Sequence, residues 1–271
     1  MYTHAMRHEV RCLPTAYTRT HARVCAHTNT QVHTAMVFSS CYEPATGFRG
    51  IVTKADKREI LEIDGRAAGA VYCDWLTNAE AAPEISLSED VADKRKNEEL
   101  VSLLQQQDAT AIGDKLFSVS TLRPLGRRGA EDVDSSQAQD SDTFYQLMHP
   151  HSITERGGIR LFADVQPGHE VTLMTSSSLD LVDLVTAATD GPDVSAFCES
   201  LQGALVVYCA GCSLQVGSEI VNVGKNLSTA LRGKPFMGTL SYGEQGVDST
   251  GCLRHGNLMY SLLLFGSAKP E

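Results

Sequence analysis

Apolar residues between Ala35 and Ile63 fall in short runs: Ala35 to Phe38, Ile51 with Val52, and Ile60, Leu61 and Ile63. Gly47, Gly50 and the pair Asp64–Gly65 break them. Such runs bounded by glycine and aspartate are strand-and-turn signals. The period then changes. Over 66–76, Ala68, Val71, Tyr72, Trp75 and Leu76 share one helical face, which needs a sheet to cover it. A second helix is predicted over 86–107 from the capping pattern Ser86-x-x-Glu89, with Val91, Leu100, Leu103 and Leu104 as its apolar positions. Residues 126–143 (GRRGAEDVDSSQAQDSDT) are polar and acidic without an apolar period, the pattern of an exposed loop or linker. Three strands follow, over 144–148, 159–165 and 171–175, separated by Pro150, Gly157–Gly158 and Pro167–Gly168. Ser178 is placed to cap a helix that presents Leu179, Val182 and Val185. A buried strand spans 204–208. Past Gly211, Val216, Ile220, Val223, Leu227 and Leu231 recur at helical spacing, the clearest helix in the chain. Two strands over 235–242 and 257–265 close the pattern.

Residues 1–34 read differently. They hold five of the nine histidines and many threonines, and no period is sustained. The segment is Arg-bearing, hydroxyl-rich and poor in acids, as a transit peptide is, but lacks an amphipathic helix. A non-native extension is the favoured reading. The pattern therefore predicts a mixed α/β (α+β) protein of two small subdomains, each a sheet with covering helices. The expected layout is an extension (1–34), a first subdomain (35–125), a polar acidic linker (126–143) and a second subdomain (144–266).

Composition narrows the function. With 42% hydrophobic and 21% charged residues in 271, the chain has the make-up of a globular protein. Its longest apolar runs, 204–210 and 262–265, fall well short of the ~20 residues that cross a bilayer, so no membrane partner is expected. A net charge of −10 argues against a nucleic-acid surface, which needs clustered Lys and Arg. Eight cysteines without a secretory leader read as reduced thiols and point to the cytoplasm, or to mitochondria if 1–34 is a transit peptide.

Three motifs could carry chemistry. Cys209-Ala-Gly-Cys212 stands between a strand and a helix, where thiol pKa values fall and redox or metal chemistry becomes accessible. With Cys252 and His255 it would complete a Cys3His zinc set. Cys209 as nucleophile with His255 as base is the enzymatic alternative. Against both stands the plain reading of buried, unreactive cysteines, which the spacing alone favours. There is no serine nucleophile elbow, and Gly224–Lys225 lacks the rest of a phosphate loop. No cofactor is called for. The third motif is the stretch 235–246 (PFMGTLSYGEQG), whose glycines surround Tyr242 and Glu244. They either make a plain turn or let backbone approach a ligand.

Here the chain resembles the FIST family, named for F-box and intracellular signal transduction proteins. The resemblance rests on GALVVYCAG at 203–211, Pro235-x-x-Gly238 leading into SYGEQG at 241–246, Gly251, and His255-Gly-Asn257 entering the last strand. LMHP at 147–150 and Gly168-x-x-Val171 match the beginning of the C-terminal FIST domain, and residues 51–76 resemble the tail of the N-terminal one. The family pattern has Arg where this chain has Cys212. The resemblance implies a sensory module for a small, amino-acid-like ligand with no established catalytic activity. It places Cys209, Gly211, Tyr242, Gly243, Glu244 and Asn257 at or near the pocket. A scaffold or ubiquitin-ligase adaptor with protein partners is the alternative the family name carries.

Overall fold

The computed structural model describes residues 27–29, 32–81, 95–96, 98–100, 102–103, 109–128, 144–189, 197, 199–247 and 252–267. The extension over 1–34 lies mostly outside them. So does most of the helix predicted over 86–107, although Leu100 within it is fully buried.

Fifteen strands and five helices are described. The chain runs β1 (His27–Asn29), β2 (Val32–Ser39), β3 (Glu43–Asp56), β4 (Glu59–Ile63), β5 (Arg66–Ala67), α1 (Ala68–Ala81), α2 (Ala109–Leu122), β6 (Leu125–Arg128), β7 (Tyr145–Met148), β8 (Pro150–Ile153), β9 (Ile159–Leu161), β10 (Glu170–Thr175) and α3 (Ser178–Thr189). It continues through β11 (Leu201–Cys209), α4 (Ala210–Val216), α5 (Ile220–Ala230), β12 (Phe236–Ser241), β13 (Glu244–Val247), β14 (Leu253–Gly256) and β15 (Tyr260–Ser267). The expected mixture of helices and sheets is the observed one.

There are two main sheets, each over its own core. The first has the order β1-β2-β15-β11-β12, with β11 and β12 parallel and the other pairs antiparallel. Helices α3, α4 and α5 pack together against it. Tyr208, Leu227, Leu231, Tyr260, Leu262 and Leu264 are buried between the layers. The second sheet has the order β7-β6-β10-β3-β4-β9-β8, with β5 added beside β4. Here α1 packs on β4 and α2 on β8. Val71, Tyr72 and Leu76 of α1 are buried as their spacing predicted, and Trp75 is half-buried beside them.

The two sheets do not divide the chain at the acidic stretch. Strand β2, from the first half, joins the sheet of the second half. Strands β7 to β10 join β3 and β4. Gly126 to Arg128, expected in the linker, belong to β6, and the rest of the predicted linker lies outside the described residues. That strand pairs with β7 on one side and β10 on the other. Strands β6 and β7, on either side of 129–143, thus lie next to each other in one sheet. Polar Arg127 hid the strand, yet its guanidinium bonds Gln146 across the pair, and Gly126 lets Met174 lie against the backbone.

Two other boundaries moved for local reasons. The cap of α3 is Ser177, not Ser178. The Ser177 hydroxyl accepts from the Asp180 N–H at 3.1 Å, while the Asp180 carboxylate accepts from Ser177 N–H at 3.0 Å, a reciprocal capping box. The long helix after Gly211 is two helices joined by a 3-10 turn over Gly217–Glu219, because Gly217 takes φ +55°. Its apolar face survives the break, since Val216, Val223, Leu227 and Leu231 are all buried.

Strands β13 and β14 form a hairpin of their own that packs on β2, β7 and β15. Gly246 brings it down onto Phe38. A Cβ at 246 would lie 2.4 Å from Phe38 Cγ and 2.5 Å from its Cβ. Gly246→Ala is therefore expected to lower unfolding stability by about 2 kcal/mol, since Phe38 is core and cannot swing aside. Urea denaturation of the two proteins measures it, and an unchanged midpoint would show that the hairpin does not sit tightly on β2.

Candidate ligand-binding site

Strand β11, helices α4 and α5 and strand β12 make a strand–helix–parallel strand unit, with Cys209 level with Ser241 at the carboxyl ends of the two strands. In α/β sheets, ligands gather at such ends, where loops rather than the next strand cover the opening. A small cavity of about 20 Å³ lies there, lined by Phe117, His149, Phe162, Cys209, Gly211, Tyr242 and Asn257. It has room for one water-sized group. Tyr242 is 77% exposed at its edge.

Each wall has a local cause. Gly211 keeps its side of the cavity open. A Cβ there would meet Leu258 Cδ2 at 3.3 Å and both Cys209 Sγ and His149 Cε1 at 3.6 Å, which fills the space without a severe clash. Asn257 Oδ1 accepts from the backbone N–H of His149 at 3.1 Å and so ties the β14–β15 connection to the β7–β8 junction. Leu258 follows in the left-handed region at φ +56° while fully buried. That conformation costs on the order of 1–3 kcal/mol in a non-glycine residue. It brings the Leu258 N–H to the Cys209 sulfur.

Cys209 is 4% exposed. The Cys212 thiol donates to its sulfur, as do the backbone N–H groups of Gly211, Cys212 and Leu258. Together these outweigh burial and bring its pKa down to about 6. Cys212 is fully buried, and desolvation together with the neighbouring Cys209 thiolate raises its own pKa well above the usual thiol range. Tyr42 lies behind it, with its hydroxyl 3.9 Å from Cys212 Sγ.

Glu244 starts β13 and is 1% exposed. Its Oε1 accepts from the Ser241 hydroxyl at 2.8 Å and its Oε2 from the Met259 N–H at 3.2 Å. Burial first, and the Cys209 thiolate second, push its pKa up to about 8. Burial and the Cys209 thiolate thus favour the protonated Glu244 carboxyl, while the donors around Cys209 favour its thiolate.

His149 was not singled out by sequence reasoning. Its ring stacks in a tilted arrangement on Phe117 at 4.8 Å between centroids and meets Phe162 at 5.6 Å. Nε2 lies 3.3 Å from the Phe117 carbonyl, which fixes it as the protonated nitrogen, because a carbonyl can only accept. Burial pushes its pKa down to about 4, so the imidazole is neutral. The LMHP motif at 147–150 was its available signal. Phe117 and Phe162 had none, because each lies far along the chain from the motif.

Of the six residues placed at the pocket by resemblance, Cys209, Gly211, Tyr242 and Asn257 line the cavity. Gly243 and Glu244 lie beside it. The zinc set Cys209, Cys212, Cys252 and His255 is not assembled: among the described residues no group of three or more Cys, His, Asp or Glu could hold a metal. His255 is exposed on β14 and packs against Gly243. A larger cleft of about 800 Å³ opens at the β3–β4 turn. Two of its cations are paired within it, Arg156 2.5 Å from Glu59 and Arg58 2.9 Å from Asp164.

The fold is an α/β domain in which a parallel strand pair has a small cavity at its carboxyl ends. The family model for the FIST C domain matches residues 68–247, well over half of the chain, and the protein belongs to that family. FIST C domains are sensory, ligand-binding modules of signalling proteins. The match begins with α1, inside the segment expected to be a partial N-terminal FIST-like unit, and ends with β13. No curated protein and no solved structure matches the chain significantly. No described helix is long and apolar enough to cross a membrane.

Proposed function

We propose that the protein is an intracellular sensor whose cavity at the ends of β11 and β12 takes a small, amino-acid-like ligand as a signalling input. One observation carries this reading: Cys209, Gly211, Tyr242 and Asn257, drawn from three separate segments, converge on a single cavity. Tyr242, on the short Tyr242–Gly243 connection between β12 and β13, stands at its edge and is the side chain whose displacement enlarges it. Asn257 and the neutral His149 supply polar groups inside an aromatic wall, the usual make-up of a small-molecule site.

A thermal-shift screen against the common amino acids tests the reading with a paired variant. A binding amino acid raises the melting temperature of the wild type by mass action. Gly211→Ala fills the cavity with a methyl group that meets Cys209 and His149 at ordinary contact distance and needs Leu258 to give by a few tenths of an ångström, and is expected to remove that rise while leaving the ligand-free melting temperature within a few degrees. An equal ligand response in Gly211→Ala would place the site elsewhere. No response in the wild type would turn the search to the scaffold alternative and its protein partners.

A further inference from the structure

We propose that Cys209 and Cys212 form a dithiol that hydrogen peroxide oxidises to an intrachain disulfide, with Cys209 as the attacking sulfur and Cys212 as the resolving one. The two thiols are hydrogen-bonded to each other. They stand three residues apart at the strand–helix junction, the spacing at which Cys-X-X-Cys pairs close. Cys209 faces the cavity while Cys212 is fully shut behind it. With Tyr242 in place at its edge, the cavity's volume of about 20 Å³ admits a molecule little larger than water, as hydrogen peroxide is.

The chemistry closes on these atoms. The Cys209 thiolate attacks one peroxide oxygen, so that the S–O bond forms, the O–O bond breaks and hydroxide leaves. Sulfur is oxidised to the sulfenic acid and peroxide is reduced. Cys212 then loses its proton and attacks the Cys209 sulfur. The S–S bond forms, the S–O bond breaks, and the second hydroxide leaves with that proton as water. Three backbone N–H groups hold the attacking sulfur as thiolate. The proposal does not rest on amino-acid binding, and its test contains no such ligand.

Two other cysteines serve as internal controls. As residues, Cys41 and Cys73 are less buried than Cys209, but burial of their thiols raises the first to about 12 and the second to about 11. Of the two, Cys73 is the one that exposure alone would make react first. Treatment of the intact protein with limiting hydrogen peroxide, followed by non-reducing peptide mapping, decides it. The expected product links Cys209 to Cys212 and forms at least about tenfold faster than any oxidation of Cys73. Cys212→Ser is expected to stop at a Cys209 carrying one added oxygen, and Gly211→Ala to slow the reaction by occupying the cavity. Oxidation of Cys41 or Cys73 ahead of an intact Cys209 in the wild type would overturn the proposal, whatever the variants do. So would a Cys209 that gains oxygen without ever linking to Cys212.

Discussion

Glu244→Ala is expected to destabilise the protein by about 3 kcal/mol at neutral pH, because its carboxyl group is a structural clamp. Its two oxygens receive the Ser241 hydroxyl at the end of β12 and the Met259 N–H just before β15. Truncation leaves a buried backbone donor without its acceptor and opens a void under the hairpin. The pH dependence follows from the raised pKa. A carboxyl group whose pKa is about 8 when folded and about 4.5 when unfolded contributes stability that is complete below pH ~4.5 and is lost as pH rises through 8. The deficit of the variant should therefore be greatest near pH 5 and shrink towards pH 8. Urea unfolding at these two pH values measures it. A constant deficit would show that Glu244 is ionised throughout, and no deficit would show that the clamp carries no load.

This clamp was not legible in the sequence, and the reason is physical. Glycines around Tyr242 and Glu244 look like turn punctuation, but Gly246 lies inside β13 because only a residue without a Cβ can sit on Phe38. A strand made of Glu, Gln, Gly and Val shows no alternation of apolar residues, so the hairpin that carries Glu244 leaves no strand signal. Helix α2 was hidden in a similar way. Its buried face includes Ser120 and Thr121, whose hydroxyls are satisfied by the Pro150 and Phe117 carbonyls. Polar residues paired to backbone vanish from a hydrophobic pattern, though they cost nothing in the core. Helix α5 was legible because the buried Val223, Leu227 and Leu231 mark its face at helical spacing. At the site, the residues carried by local motifs were found. The aromatic wall of Phe117 and Phe162 comes from other elements and requires the topology to place it.

That wall has a second consequence, which is acid sensitivity. His149 has a pKa of about 4 in the folded protein because burial between Phe117 and Phe162 disfavours the charged ring, with His151 adding a smaller push in the same direction. Its unfolded value is about 6.5. For a group whose folded pKa is depressed, stability is fully present above the unfolded value and is lost as pH falls through the folded one. Between pH 7 and pH 4 the loss amounts to on the order of 3 kcal/mol. Glu244 acts in the opposite sense over part of this range, so the wild-type curve alone mixes the two effects. The comparison with His149→Gln separates them, because Glu244 contributes almost equally to both proteins and cancels in the difference. Gln keeps an N–H donor for the Phe117 carbonyl but cannot titrate. The variant should be less stable than wild type at pH 7, through lost ring packing, and should close or reverse that gap as pH approaches 4. Parallel curves for the two proteins from pH 7 to 4 would mean that His149 is charged when folded, and would remove the neutral imidazole from the cavity wall.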